Sequence, residues 1–287
     1  MSVVNTNVSA SIAQAALMRN ERALGSAMEQ LSTGRKINSA GDNASGLAIS
    51  ARMTSQIRGL DQAVRNANDA ISMINTAEGA LDEVTDMLQR MRELAVQSGT
   101  GTTSSNDRVY IDAEYDQLLA EIERIAANTQ WNGRNILGGN AGGSAASTLS
   151  TVAFQVGMDP TQTVSLAFGN MSSDAAMDEL NSLSLNATTV ASAIDKSSLV
   201  MTWVDTTIEE VSTQRATFGA VSNRLEHAID NLTNVKIQSE ASRSRILDTD
   251  YAAATSELAR TQIIQQAGTA MLAQANQLPQ TVLALLQ

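Results

Sequence analysis

At the usual size of roughly 150 residues per domain, a chain of 287 residues and 30.3 kDa has room for two compact units. Aromatic residues supply only 3% of it, and the first of them is Tyr110, so neither unit reads as an ordinary aromatic-cored globule. A net charge of −11 excludes the dense phosphate neutralisation that a nucleic-acid binder needs, and the absence of cysteine excludes disulfides, thiolate zinc sites and thiol nucleophiles.

The first element is uncharged until Arg19, with Ile12, Leu17, Leu24, Met28 and Leu31 at helical spacing. Its start has no basic stretch followed by a continuous apolar run, so a cleaved secretory signal is not expected, and no segment of the chain approaches the length of a membrane span. After GRKINSAGDNASG, apolar residues recur every three or four positions through Met53, Ile57, Leu60, Val64, Ala67, Ile71, Ile74, Leu81, Val84, Leu88 and Met91. This pattern predicts one helix of about fifty residues, about 75 to 80 Å long, and hence an elongated molecule. The break SGTGTTSSN precedes a second helix from about Asp107 to Asn128, with Tyr115, Leu118, Ile122 and Ile125 as its stripe.

GGNAGGSAASTLST reads as a mid-chain loop, and the β-branched and aromatic runs on either side of Asp159-Pro160 predict a hairpin at about 151–168. From about Val190 a third rod is expected, with Ile194, Val204, Ile208, Val211, Phe218, Leu225, Ile229, Leu232 and Val235 on its apolar side. The last 27 residues carry no charge, and Ile264, Ala267, Met271, Ala275, Leu278, Val282 and Leu285 recur there at helical spacing. The expected fold class is therefore mainly α: an elongated antiparallel coiled-coil bundle with a small mid-chain hairpin, whose N- and C-terminal helices pair. Burial of the nine large apolar residues of this tail would contribute roughly 14 to 27 kcal/mol, while ordering its backbone costs about 27 to 54 kcal/mol. Ordering and self-association are thus expected to be coupled.

Several strings then become recognisable: LSTGRKINSAGDNASGLAI, RNANDAISMINTAEGALDEV, LQRMRELAVQS, TQWNGRNIL, QRATFGAVSNRLEHAIDNL, ASRSRILDTDYAAATSELAR and IIQQAGTAMLAQANQLPQTVLALL. The chain resembles bacterial flagellin over residues 1 to about 140 and 200 to 287. The resemblance implies a structural subunit that polymerises helically into the extracellular flagellar filament for swimming motility. Residues 1–33 and 247–287 would form an inner-core coiled coil, 34–43 and 241–246 connectors, and 44–240 an outer rod. No large inserted outer domain is implied, and the outer surface is expected to comprise the hairpin, the Gly/Ser tract and NMSSDAAMDELNSLSLNATT. The inner assembly seam is assigned to Leu17, Leu24, Leu31, Ile264, Met271, Leu278 and Leu285.

Partners implied by the resemblance are further copies of the chain, an export chaperone, the flagellar type III export apparatus, and the filament cap and junction proteins. Leu88, Gln89, Arg90, Arg92, Glu93, Leu94 and Gln97, with Glu114 on the next helix, match a surface that many family members present to the flagellin-sensing Toll-like receptor. The plainer reading of these residues is subunit contact within the filament. The chain departs from the family's more frequent Gly and Phe at Ala70 and Trp131.

Rival readings are a hook-filament junction protein, a minor filament subunit and a membrane-active type III translocator. The acidic rods and uncharged ends lack the basic face or long apolar hairpin that the last would use, so no membrane insertion is expected. Neither an enzyme nor a bound cofactor or metal is expected. The single imidazole, His227, lies about 200° from both Leu225 and Ile229 and should face away from the core. No HExxH occurs, the paired acids diverge on their helices, and the glycine runs lack a following Lys-Ser/Thr. The twelve methionines fit core packing better than a promiscuous groove.

Overall fold

The computed structural model describes residues 7–138, 149–171 and 175–284. In chain order these form α1 (Val8–Thr33), α2 (Ala40–Gly99), α3 (Ser105–Asn128), β1 (Gln130–Trp131), β2 (Arg134–Asn135), β3 (Leu149–Gln155), β4 (Thr163–Gly169), α4 (Ala175–Ser182), α5 (Val190–Leu247) and α6 (Tyr251–Ala284). The fold is mainly α with small antiparallel hairpins, and it divides into two packed units. One comprises residues 1–57 with 237–287, the other residues 58–236.

In the first unit α1 and α6 run antiparallel. Asn7 accepts from the Ala10 amide as the N-cap of α1 and donates through Nδ2 to the Ala275 carbonyl at 2.8 Å, while Asn20 Nδ2 donates to the Thr261 carbonyl at 2.8 Å. At the other end of the pair, Lys36 N donates to Leu247 O and Thr249 N to Gly34 O, at 2.7 and 3.0 Å. Gly34 ends α1 in the left-handed region at φ 67°, and a Cβ there would lie 3.1 Å from the Tyr251 hydroxyl, so both conformation and space call for glycine.

The α2 backbone leaves helical geometry at Asn43, whose φ of −164° is extended. Asn43 Oδ1 then accepts from the Gly46 amide at 2.9 Å and so caps the long continuous part of the helix. Asp42 accepts from the amides of Ser39 and Asn38 at 2.9 and 3.0 Å, and these bonds lower its carboxyl below the ordinary aspartate value, Ser39 contributing most.

In the second unit α2 buries Ile74, Leu81, Val84, Leu88, Met91 and Leu94 against α3 and α5. The α2–α5 register is held along its length: Asp61 pairs with Lys236, Asp82 with Arg215 and Arg92 with Asp205, each step along α2 matched by an equal step back along α5. The expected stripes need adjusting in two places. On α3 the buried column is Ile111, Tyr115, Leu119, Ile122 and Ala126, with Leu118 and Ile125 only half-buried. On α5 it is Ala193, Val200, Val204, Thr207, Val211, Phe218 and Leu225, while Ile194 and Val235 are exposed, because the helix follows a heptad seam that admits Ala, Ser and Thr. His227 is exposed, as its spacing implied.

The expected hairpin is β3–β4, paired from Leu149↔Gly169 to Gln155↔Thr163. It is not simply outer surface: Val164, Leu166 and Phe168 alternate inward, and the Phe168 and Phe218 rings sit 5.2 Å apart at 54°. The segment after it, also expected outside, contains α4 and buries Met177, Leu180 and Leu185. The Gly/Ser tract lies largely outside the described residues. A second, two-residue hairpin, β1–β2, turns through Asn132 and Gly133 at φ 50° and 75°, the paired left-handed geometry that Asn-Gly favours.

A polar latch on α3 binds this unit together. Arg108, 2% exposed, donates to the Ser98 and Thr100 carbonyls at 3.1 and 3.3 Å, so its charge meets the C-terminal end of α2. One turn on, Asp112 accepts from Ser184 Oγ at 3.0 Å and the Leu185 amide at 2.6 Å, and the Tyr115 hydroxyl donates to the Leu180 carbonyl at 3.0 Å. Burial, with the nearby charges of Asp116 and Asp112, raises the Tyr115 phenol far above its ordinary value.

Candidate assembly surfaces

The α1–α6 pair inverts the usual arrangement of side chains. The fully buried positions of its seam are small or polar, Asn20, Ala27, Ala254, Thr261 and Ala275, with Leu17, Leu24, Leu31, Leu258, Gln265, Gly268 and Leu272 half-buried beside them. A Cβ at Gly268 would lie 3.2 Å from Leu17 Cδ1, which shows how closely the two helices approach. The larger apolar residues point away from the seam: Ile12, Met18, Met28, Ile263 and Met271 are 50% or more exposed, and Ile264 is 43% exposed.

Of the seven seam residues expected from sequence, the structure therefore brings Leu17, Leu24 and Leu31 towards α6 but leaves Ile264 and Met271 outside the pair. Each of those two immediately precedes a residue of the observed seam, Gln265 and Leu272, and so lies about 100° around the helix from it. Leu278 lies within α6, its side chain outside the described part, and Leu285 lies outside the described residues. The column that faces α1 was missed because it is weakly apolar; its Leu-Thr-Gln-Gly-Leu-Ala heptad at 258–275 is the signal that identifies it.

The second candidate surface crosses α2, α3 and α5. Arg90 donates to Glu93 and to Glu114, both at 2.9 Å, and Arg92 to Asp205 at 2.6 Å. Hydrogen bonding to Glu93, then to Glu114, raises the Arg90 guanidinium above its ordinary value, and bonding to Asp205 does so for Arg92. Gln89, Arg92, Glu93 and Val96 line a shallow depression, and Gln97 is exposed beside it. Leu88 and Leu94, expected on the same surface, are instead fully buried in the core, 0% and 1% exposed, since they occupy the inward heptad positions of α2. The remaining six residues form a polar face already ordered by ion pairs within the chain.

Among the described residues no three potential metal-ligating side chains converge, and no helix is long and apolar enough to cross a membrane. The model of the bacterial flagellin N-terminal helical region matches residues 4–141, and that of the C-terminal helical region matches residues 201–286. The chain belongs to the bacterial flagellin family.

Among its relatives, a flagellin of Halalkalibacterium halodurans is 47% identical over 262 residues, covering 91% of each chain. A flagellar filament 33 kDa core protein of Treponema phagedenis is 41% identical over 289 residues, covering 99% of this chain and 100% of the relative. A crystal structure of Bacillus cereus flagellin aligns at 30% identity with 58% of this chain and 88% of its own, at a TM-score of 0.47. Membership makes the chain a structural filament subunit that self-polymerises, in a family of structural proteins not known as enzymes.

Proposed function

We propose that copies of this flagellin stack helically through the outer faces of the α1–α6 pair, with residues 1–33 and 247–287 as the inner core and 44–240 as the outer rod joined to it by connectors at 34–43 and 241–246. The observation that carries this reading is the exposed column of large apolar residues on a pair whose fully buried positions are small or polar and whose seam leucines are only half-buried. A monomer gains nothing by exposing Ile263, Ile264 and Met271, and the stretch after Arg260 has no charge to keep it solvated. Neighbouring copies supply the missing cover, so Ile264 and Met271, with Leu278 and Leu285 continuing their column, form the contact between copies, while Leu17, Leu24 and Leu31 hold the pair together. The outer units then keep neighbours in register, and torque at the filament base becomes thrust.

Family membership supports the rest of the scheme: passage through the flagellar type III apparatus, a chaperone on the C-terminal helix, and a cap and junction proteins at the filament ends. The six-residue polar face of Gln89, Arg90, Arg92, Glu93, Gln97 and Glu114 serves as a subunit contact, its side chains held in place by the pairs to Glu93, Glu114 and Asp205. The same face is the one open to a Toll-like receptor.

The test is Ile264→Asp in the full chain. A carboxylate on the proposed contact loses its water without gaining a partner, so filaments should disappear from electron micrographs while the far-ultraviolet circular dichroism of the monomer stays that of the parent. Normal filaments from this variant would remove the α1–α6 outer face from the assembly contact.

A further inference from the structure

Every methionine of the α1–α6 pair is exposed, whereas four of the seven in residues 58–236 are buried. In residues 58–236, Met73, Met91, Met171 and Met177 are each 5% exposed or less, Met87 and Met201 are half-buried, and Met158 on the hairpin connection is 44% exposed. On α1 and α6 the only methionines are Met18, Met28 and Met271, at 50%, 57% and 65%. The polymerising pair thus presents its thioethers to solvent, and Met271 lies in a stretch with no charged side chain.

We propose that Met18, Met28 and Met271 are a peroxide-sensitive modification site that sets whether the free subunit can assemble; this rests on the reading that the outer face of the α1–α6 pair is the contact between copies. The oxidant is hydrogen peroxide or a related hydroperoxide. A sulfur lone pair attacks one peroxide oxygen, the S–O bond forms as the O–O bond breaks, and the departing hydroxide takes up the proton of the transferred hydroxyl to leave as water. Sulfur is oxidised by two electrons and the peroxide is reduced. The product sulfoxide is a strong acceptor on a polar, chiral side chain. On a free subunit water solvates it at no loss, but on docking it must give up that water to an apolar neighbour that offers no donor. Oxidation therefore acts on assembly and leaves the fold of the second unit intact, since Met73, Met91, Met171 and Met177 are buried and Met158 is already in water. Once copies have docked, the same sulfurs are covered.

Monomer is treated with hydrogen peroxide, the sulfoxide at each methionine is read by peptide mass spectrometry, and polymerisation is then followed by sedimentation. Oxidation at Met18, Met28 and Met271 should run about tenfold ahead of Met73, Met91, Met171 and Met177, and the sedimenting fraction should fall several-fold. Treatment with both methionine sulfoxide reductases should restore polymerisation, and preformed filaments given the same peroxide should stay unmodified at the three positions. Measured against its own untreated sedimenting fraction, the variant M18L/M28L/M271L should lose none to peroxide, and M271L alone should lose less than wild type does.

Wild-type subunits that carry all three sulfoxides and polymerise normally would overturn the inference, as would failure of the reductases to restore assembly. Untreated Ile264→Asp serves as the second arm. If it polymerises like wild type, the contact surface itself is wrong; if it is blocked while oxidised wild type assembles, only the role of the methionines falls.

Discussion

The two units solve the problem of burying apolar surface in opposite ways. Residues 58–236 enclose Leu81, Leu88, Met91, Tyr115, Phe168 and Phe218 completely, whereas the α1–α6 pair encloses Ala, Asn and Thr and leaves Ile and Met outside. Charge divides along the same line: residues 58–236 hold 11 Lys and Arg against 23 Asp and Glu, a net of −12, while the rest of the chain holds 8 against 7. A unit that closes its own core can carry a large net charge and stay soluble, and a unit whose core is closed by other copies cannot hold much charge on the faces that meet. On the proposed assembly the difference separates folding from docking: the second unit closes its own core, and the first is completed by neighbouring copies.

The sharpest way to break this comparison is to cut into each apolar set in turn. Phe218→Ala removes a fully buried ring and should lower the unfolding free energy of the second unit by about 3–5 kcal/mol in urea titration. Ile264→Ala removes an exposed side chain and should leave that titration unchanged while raising the subunit concentration needed for polymerisation. Equal losses of monomer stability from both variants would erase the distinction.

Arg108→Ala should come next, at about 1.5–3 kcal/mol, because it strips the end of α2 of its guanidinium and leaves the buried Ser98 carbonyl without that donor. The loss should be read in the second unit, as faster hydrogen exchange at the end of α2 and the start of α3.

Gly268→Val tests the seam of the other unit. A Cβ there already meets Leu17, so a branched side chain should force the helices apart at about 1–3 kcal/mol. Helical circular dichroism and amide protection should fall for α1 and α6, with residues 58–236 unaffected.

The smallest expected effect is that of pH, and it reaches both units. Asp42 in the first and Asp107 in the second are held below the ordinary aspartate value, Asp42 by the Ser39 and Asn38 amides and Asp107 by the Ser104 hydroxyl and amide. Such groups favour the folded state above the unfolded aspartate value of about 3.9, and lose that contribution as pH falls through their lower folded values. Urea midpoints should thus fall on acidification below about pH 4, and Asp42→Asn and Asp107→Asn should each flatten the decline.

Much of this architecture was legible in the chain itself. The long helices follow from apolar residues every three or four positions with little Gly or Pro between them. What escaped did so for physical reasons. The Asn132-Gly133 turn had a sequence signal, an Asn-Gly pair at the end of a helix, but a two-residue hairpin has no alternating strand to support it. The helix at Ala175–Ser182 is short, and the polar residues around Met177 and Leu180 mask its apolar side. Arg108 and Asp112 bond to backbone groups, Asp112 across more than seventy residues, and no pattern of residue types records a backbone partner. On α6 two columns compete, and the more apolar one is the one a monomer leaves open.

The latch of Arg108, Asp112 and Tyr115 has a consequence for how such a chain reaches its folded state. It ties the end of one helix, the start of the next and the 180–186 segment at three points within two turns, with side-chain hydrogen bonds alone. Cross-linking those elements through cysteine would require an oxidant and seconds to hours of disulfide exchange, whereas helices and hairpins form within microseconds of collapse. This unit therefore needs no disulfide chemistry to mature, and each copy can close its latch by packing alone.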